Sequence, residues 1–239
     1  MILKKEDVES TEEKSTHRLK AFGRKMVKLS ATQKAFLEEL LPDFQIPFKP
    51  GIIDPAACFS VSGPLHLEIG FGGGEYTAAL AAACPRHRII GCEIFLNGIA
   101  SLLKKIEAEG LENIRIIHGS AIIALEEMFA NETFDFIHIN HPDPWPKKRH
   151  LRRRLIQPEM VETLSRVLKP GGEVWLSTDV AEYLEWMAGC FGLSKELEFI
   201  KTDGRFLDSL QEDKLSTRYE RRGLAAGRGT GHLRYRKIG

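Results

Sequence analysis

Residues 65–94 read LHLEIGFGGGEYTAALAAACPRHRIIGCEI. An apolar run of strand length, a glycine-rich turn, an alanine-rich helical segment and a second apolar run follow one another. This is the pattern of a right-handed βαβ unit, whose two strands lie parallel in one sheet. Outward from it the alternation continues: helix over LNGIASLLKKIEAEG (96–110), strand over NIRIIHG (113–119), helix over AIIALEEMF (121–129), strand over FDFIHIN (134–140). A helix over PEMVETLSRVL (158–168), a KPGG turn, a strand over EVWLSTD (173–179) and a helix over EYLEWMAGC (182–190) come next. Strands separated by helices of this length imply an α/β, doubly wound, Rossmann-like, mostly parallel sheet. ELEFIK (196–201) and HLRYRKI (232–238) flank a polar segment with little room for a full crossover helix, so they are expected to pair antiparallel at one edge. That makes about seven strands with an antiparallel edge strand.

The 239 residues suit a single domain over 29–239 with a short appendage. Residues 1–28 mix charges of both signs without apolar periodicity and are expected to be a flexible arm. In LSATQKAFLEELLPDF (29–44), Ser30 is the expected N-cap, Phe36, Leu37, Leu40 and Leu41 form a docking face, and Pro42 stops the helix. With 43% hydrophobic and 28% charged residues the composition is that of an ordinary globular protein. The first residues lack an apolar stretch, so no membrane association and a cytoplasmic address are expected. Cys58, Cys84, Cys92 and Cys190 show no zinc or redox spacing and read as buried thiols; no metal is expected. A net charge of +1 does not suggest a polyanionic partner, which leaves the distribution of charge to decide.

In an open parallel sheet, ligands bind beyond the carboxyl ends of the strands. At the first such junction, Gly70, Gly72, Gly73 and Gly74 let the backbone turn and approach a ligand, and Glu68 is a hydrogen-bond acceptor at the strand end. A dinucleotide fingerprint would place its third glycine where the chain has Glu75, a carboxylate that would repel a pyrophosphate at a helix N-terminus. A phosphate-free, cationic cofactor fits better, and S-adenosylmethionine is one. Glu93 ends the second strand about 20 residues beyond Gly72, the spacing at which a carboxylate meets ribose hydroxyls. Taken alone, the loop reads equally well as a glycine turn at a packed corner.

The fourth strand runs into HPDPWPKKRHLRRR (141–154). Pro142, Pro144 and Pro146 fix their own φ and extend their neighbours, so a stiff loop presents Asp143 and Trp145 at the sheet's carboxyl edge. Lys147, Lys148, Arg149, Arg152, Arg153 and Arg154, with His150, follow at once. Such a run is ordinarily a solvated face. Beside a reaction centre it is suited to holding phosphates. Arg218, Arg221, Arg222, Arg228, Arg234, Arg236 and Lys237, interleaved with Tyr219 and Tyr235, form a second cluster.

From GRKMVKLSATQ (23–33) onward the chain resembles the bacterial tRNA (guanine-N7)-methyltransferases of the class I methyltransferase superfamily. LEIGFGGG, HPDPWPKKRHLRRRLIQPE, STDVAEYLEWM and TRYERRG carry the resemblance, in that order. It implies that Glu68, Gly70, Gly72, Glu93, Ser120 and Asp143 line the S-adenosylmethionine site, with Asp143 in the catalytic position. It implies that Lys147, Asp179, Thr217, Arg218, Tyr219 and Glu220 contact the target nucleoside of a tRNA. Arg149, His150, Leu151, Arg152, Arg153 and Arg154 would then meet the tRNA backbone, with the enzyme acting as a monomer or homodimer. Two stretches depart from the family. Ser120 stands where it usually has Asp or Asn beside the adenine, and RGLAAGRGTGHLRYRK (222–237) lacks its HGVWDL-like run.

N7 of guanine offers an in-plane lone pair and needs no general base, so carboxylates, Asp143 first and Asp179 second, would stabilise the charge developing on the purine. Rival readings are a methyltransferase for ribosomal RNA or a small metabolite, and an RNA-binding protein with a vestigial pocket. A nicotinamide oxidoreductase disagrees with the glycine spacing and Glu75.

Overall fold

A computed structural model describes residues 28–200 and 229–239. The expected arm, apart from Lys28, and Thr217, Arg218, Tyr219 and Glu220 lie outside the described residues, as do Arg221, Arg222 and Arg228. Seven strands, β1 (Leu65–Ile69), β2 (Arg88–Glu93), β3 (Ile114–His118), β4 (Phe134–Asn140), β5 (Leu168–Thr178), β6 (Leu197–Ile200) and β7 (Gly231–Lys237), form one sheet in the order β3-β2-β1-β4-β5-β7-β6. The first five run parallel, and β7 enters antiparallel between β5 and β6. This is the doubly wound arrangement expected, with the antiparallel pair at one edge.

β1 is buried at all five positions, as a strand covered on both faces must be. One face packs α3 (Glu75–Ala83) and α4 (Leu96–Glu109), with α1 (Ala31–Glu39) and the short α2 (Leu41–Phe44) beyond, around Leu80, Ile89, Leu102 and Ile114. The other packs α5 (Ala121–Glu127), α6 (Pro158–Val167) and α7 (Ala181–Phe191) around Phe129, Ile137, Leu164 and Phe191. The chain winds β1, β2, β3 outward in one direction, then returns to lay β4 on the other side of β1. That reversal opens a crevice at the carboxyl ends of β1 and β4, where the strand neighbours diverge.

Local chemistry accounts for most boundaries. Ser30 caps α1 through a full capping box with Gln33. Pro42 does not end helical structure as expected: α1 breaks at Leu40, and Pro42, lacking an N–H that a first turn leaves unpaired anyway, begins α2. KPGG is likewise no free turn. β5 already pairs at Leu168 with Phe134, and the segment bulges before Glu173 resumes the ladder opposite Phe136, with Gly171 at φ +77°. Three of the cysteines are buried, while Cys58 is only partly so.

Candidate active site

The glycine turn is held open from below. Gly72 sits at φ +57°, and a Cβ there or at Gly70 would enter empty space, so the backbone leaves room that a ligand can fill. Gly98 of α4 supports the turn from behind, close enough that a Cβ would lie 2.2 Å from the Gly72 carbonyl oxygen. Glu93 closes the arrangement at the end of β2. Its Oε1 accepts from the N–H groups of Ile94 (2.7 Å) and Phe95 (3.0 Å), and its Oε2 from Gly72 N–H (2.8 Å). A carboxylate has about four lone-pair positions, so Oε2 keeps one for a ligand hydroxyl.

Gly70, Gly72, Glu93, Ile94 and Phe95 line a cavity of about 560 Å³ that also takes in Gly119, Ser120, Asn140, His141, Pro142, Asp143 and Trp145. Arg152, Arg153 and the α6 residues Glu159 and Thr163 belong to the same wall. Gly70, Gly72, Glu93, Ser120 and Asp143 are thus brought together as the sequence suggested. Ser120 occupies the N-cap position of α5 without bonding the helix through its side chain. Asp143 is exposed on the proline loop. That loop carries two non-glycine residues in the left-handed region, His141 (φ 51°) and Trp145 (φ 41°), a strain that persists only where the surroundings enforce it.

Glu68 is placed differently from expectation. It is 2% exposed and does not line the cavity. Thr77 donates to its Oε2 (2.5 Å) and Asn140 Nδ2 to its Oε1 (3.2 Å), while Ser177 donates to Asn140 Oδ1 (3.0 Å). Internal donors capture the carboxylate, so it reaches the ligand space through Asn140. Burial pushes its carboxyl up to about 7 despite those two hydrogen bonds.

The basic run divides. Arg152 is exposed, and Arg153 lies over the Trp145 ring at 5.1 Å, with His150 edge-on to that ring at 5.5 Å. Arg149 is exposed and its Nε donates to His150 Nε2 (3.3 Å), whereas Leu151 is half-buried. Arg154 corrects the expectation. Its side chain is 1% exposed, its Nε donates to the Pro144 carbonyl (2.8 Å) and its Nη2 to Glu182 (2.9 Å), so although it borders the cavity beside Arg152 and Arg153 it is engaged inward rather than presented on the surface. Lys147 is exposed beyond the loop, and Asp179, outside the cavity wall, lies 3.9 Å from His141 Nδ1.

Sequence reasoning passed over Asn140, although its place at the end of β4 was a signal by the same strand-end rule that selected Glu93. It also missed a chain of imidazoles. Tyr76 Oη meets His138 Nδ1 (3.2 Å), His138 Nε2 meets His66 Nδ1 (2.9 Å), and His66 Nε2 meets His87 Nδ1 (2.8 Å). Burial depresses all three, His66 well below the usual range, His138 to about 3, and His87 more mildly. Neutral rings can then donate in one direction along the row. Among the described residues no group of His, Cys, Asp and Glu converges on a metal site, and no helix is long and apolar enough to cross a membrane.

Residues 62–233 match the family model described as "Putative methyltransferase". The chain is 40% identical to the tRNA (guanine-N(7)-)-methyltransferase of Burkholderia vietnamiensis over 92% of its own length and 85% of that protein. It is 39% identical to the protein of the same name from Nitrosococcus oceani, over 91% of this chain and 90% of that one. Among solved structures, the 16S rRNA methyltransferase KamB superposes with a TM-score of 0.51 at 16% identity, covering 75% of this chain and 90% of that chain. An antibiotic-related methyltransferase reaches 0.50 at 17% identity, over 90% and 97%. The solved structures share the fold; the sequence relatives match over nearly the whole chain at about 40% identity, and on that ground the chain belongs to the tRNA (guanine-N(7)-)-methyltransferase family.

Proposed function

We propose that this protein transfers a methyl group from S-adenosylmethionine to N7 of a variable-loop guanine in tRNA, in the cytoplasm. The observation that carries the reading is that Glu93 and Asp143 line one cavity together with Arg152 and Arg153. The donor set fits the cofactor: open space over Gly70 and Gly72 accepts a ligand without a Cβ in the way, and Glu93 Oε2 has a lone pair left for a ribose hydroxyl. When bound, the cofactor supplies an electrophilic methyl on a cationic sulfur. Asp143 supplies negative charge beside the purine as it becomes cationic, and no residue need remove a proton from N7. The proline loop holds Asp143 in place, since alignment of donor and acceptor makes up much of the rate. Arg152, Arg153 and Arg149 hold phosphates, and Lys147 and Asp179 flank the nucleoside.

The test is transfer of labelled methyl to an unmodified tRNA transcript, followed by nucleoside digestion. 7-Methylguanosine from the variable loop is the expected product; cofactor binding with a different methylated nucleoside would reassign the substrate. Asp143→Ala is expected to abolish turnover while leaving tRNA affinity within about 2-fold, since a charge that acts on the transition state adds little to ground-state binding. A normal single-turnover rate with weakened tRNA binding would remove Asp143 from the chemistry.

A further inference from the structure

We propose that Arg154 is a positioning residue for the loop that carries Asp143, a role that rests on the function proposed above. It lies in the basic run, yet its surroundings are those of an internal strut. Nε donates to the carbonyl of Pro144, the residue between Asp143 and Trp145. Nη2 pairs with Glu182 at the start of α7, and the guanidinium carbon sits 5.0 Å from the ring centres of both Tyr183 and Trp186 on the same helix. Trp186 is itself tied down through Nε1 to the Ile156 carbonyl (2.8 Å). One end of the strut is therefore a packed helix and the other is the centre of the loop.

The loop needs such a tie. Pro142, Pro144 and Pro146 have no N–H, so every second residue from 142 to 146 lacks an amide donor with which to brace the segment. His141 and Trp145, flanking Asp143, occupy strained backbone conformations. Stability does not account for a buried guanidinium here. Its partner Glu182 is 62% exposed, which weakens the pair, and Nη1 is buried with no hydrogen-bond partner. An apolar side chain of similar length would pack between Tyr183 and Trp186 at less electrostatic cost. What it would not do is hold the Pro144 carbonyl.

The experiment compares Arg154→Met, Arg154→Ala and Glu182→Ala with Arg152→Ala. Readouts are single-turnover methyl transfer to tRNA, tRNA affinity as a function of salt, thermal melting, and trypsin cleavage at the exposed Lys147 and Lys148 followed by mass spectrometry. For Arg154→Met we expect a rate loss of about 100-fold, the cost of misplacing a reacting group by about 1 Å, with an unchanged salt slope. Melting should stay within a few degrees of wild type, cleavage at Lys147 and Lys148 should accelerate, and ethylguanidinium should recover part of the rate in Arg154→Ala. Glu182→Ala should lose less, in the same direction. Weakened tRNA affinity with a shallower salt slope, as expected for Arg152→Ala, would make Arg154 a phosphate ligand and overturn the proposal. A wild-type rate or unchanged cleavage in Arg154→Met would overturn it too. Wild-type protein that methylates no tRNA would refute the functional reading instead, and the cleavage comparison would still decide the strut.

Discussion

Glu68 and Glu93 end neighbouring strands, and their carboxylates are used in opposite ways. Glu93 collects three backbone N–H groups and still faces the cavity; Glu68 is sealed behind Asn140 and Thr77. Both were legible as acidic residues at strand ends, but burial of the first depends on which side chains β4 and α3 bring to it, which spacing along the chain does not encode. Because Glu68 titrates higher folded (about 7) than unfolded, the native state retains a proton that the unfolded chain has lost, so stability falls as pH rises from about 4.5 to 7 and stays lower above. Glu68→Gln removes that dependence and should be more stable than wild type at pH 8, by as much as roughly 3 kcal/mol, with the advantage shrinking toward pH 5. Urea unfolding at the two pH values checks this. An equal difference at both would show that Glu68 is ionised in the fold.

At the scale of elements, the turn between β1 and α3 depends on a helix that follows it by two elements. The first turn of α4 packs against the Gly72 carbonyl, and Gly98 is the contact. Gly98→Ala puts a methyl carbon against backbone, which cannot move aside as a flexible side chain would. Overpacking of this kind costs about 1–3 kcal/mol, and the displaced turn should weaken S-adenosylhomocysteine binding by at least about tenfold. Calorimetric titration and a melting curve measure the two effects, and normal affinity would mean that the turn tolerates displacement. Nearly every helix and strand was legible from periodicity, because each is apolar on the faces it buries. The misreadings at Pro42 and KPGG share a cause: a residue that breaks one element also serves to begin another, and only the partner strand or neighbouring turn decides which. The inward turn of Arg154 belongs to the same class, since a run of like charges gives no hint of which member meets Tyr183 and Trp186.

For the molecule as a whole, uneven charge matters more than net charge. Arg152→Ala with Arg153→Ala should weaken tRNA binding and make the slope of log affinity against log salt shallower by between about one and two, one phosphate contact per cation. An unchanged slope would make both arginines bystanders. The imidazole row sets a second global property. Unfolded histidines take up protons near pH 6.5 while His66, His138 and His87 resist, so stability is present above that pH and is lost as pH falls toward the native values. Glu68 works the other way between pH 7 and 4.5, but it is one carboxyl against three rings. We expect the melting temperature to drop steadily from pH 6.5 to 5, and His66→Phe combined with His138→Phe to flatten that drop. Equal melting of the Glu68→Gln variant, which lacks the opposing carboxyl, at pH 7 and pH 5 would mean that the rings take up protons in the native state as readily as in the unfolded chain. The row escaped notice in the sequence because His66 and His138 come together only once β4 is known to lie beside β1.

The strand order also bears on how the protein is made. β6 leaves the ribosome before β7, yet among the described strands its neighbour in the sheet is β7 alone. During synthesis β1 to β5 can already be joined side by side while β6 waits with both edges bare, and the nascent chain is most exposed to wrong partners in that interval.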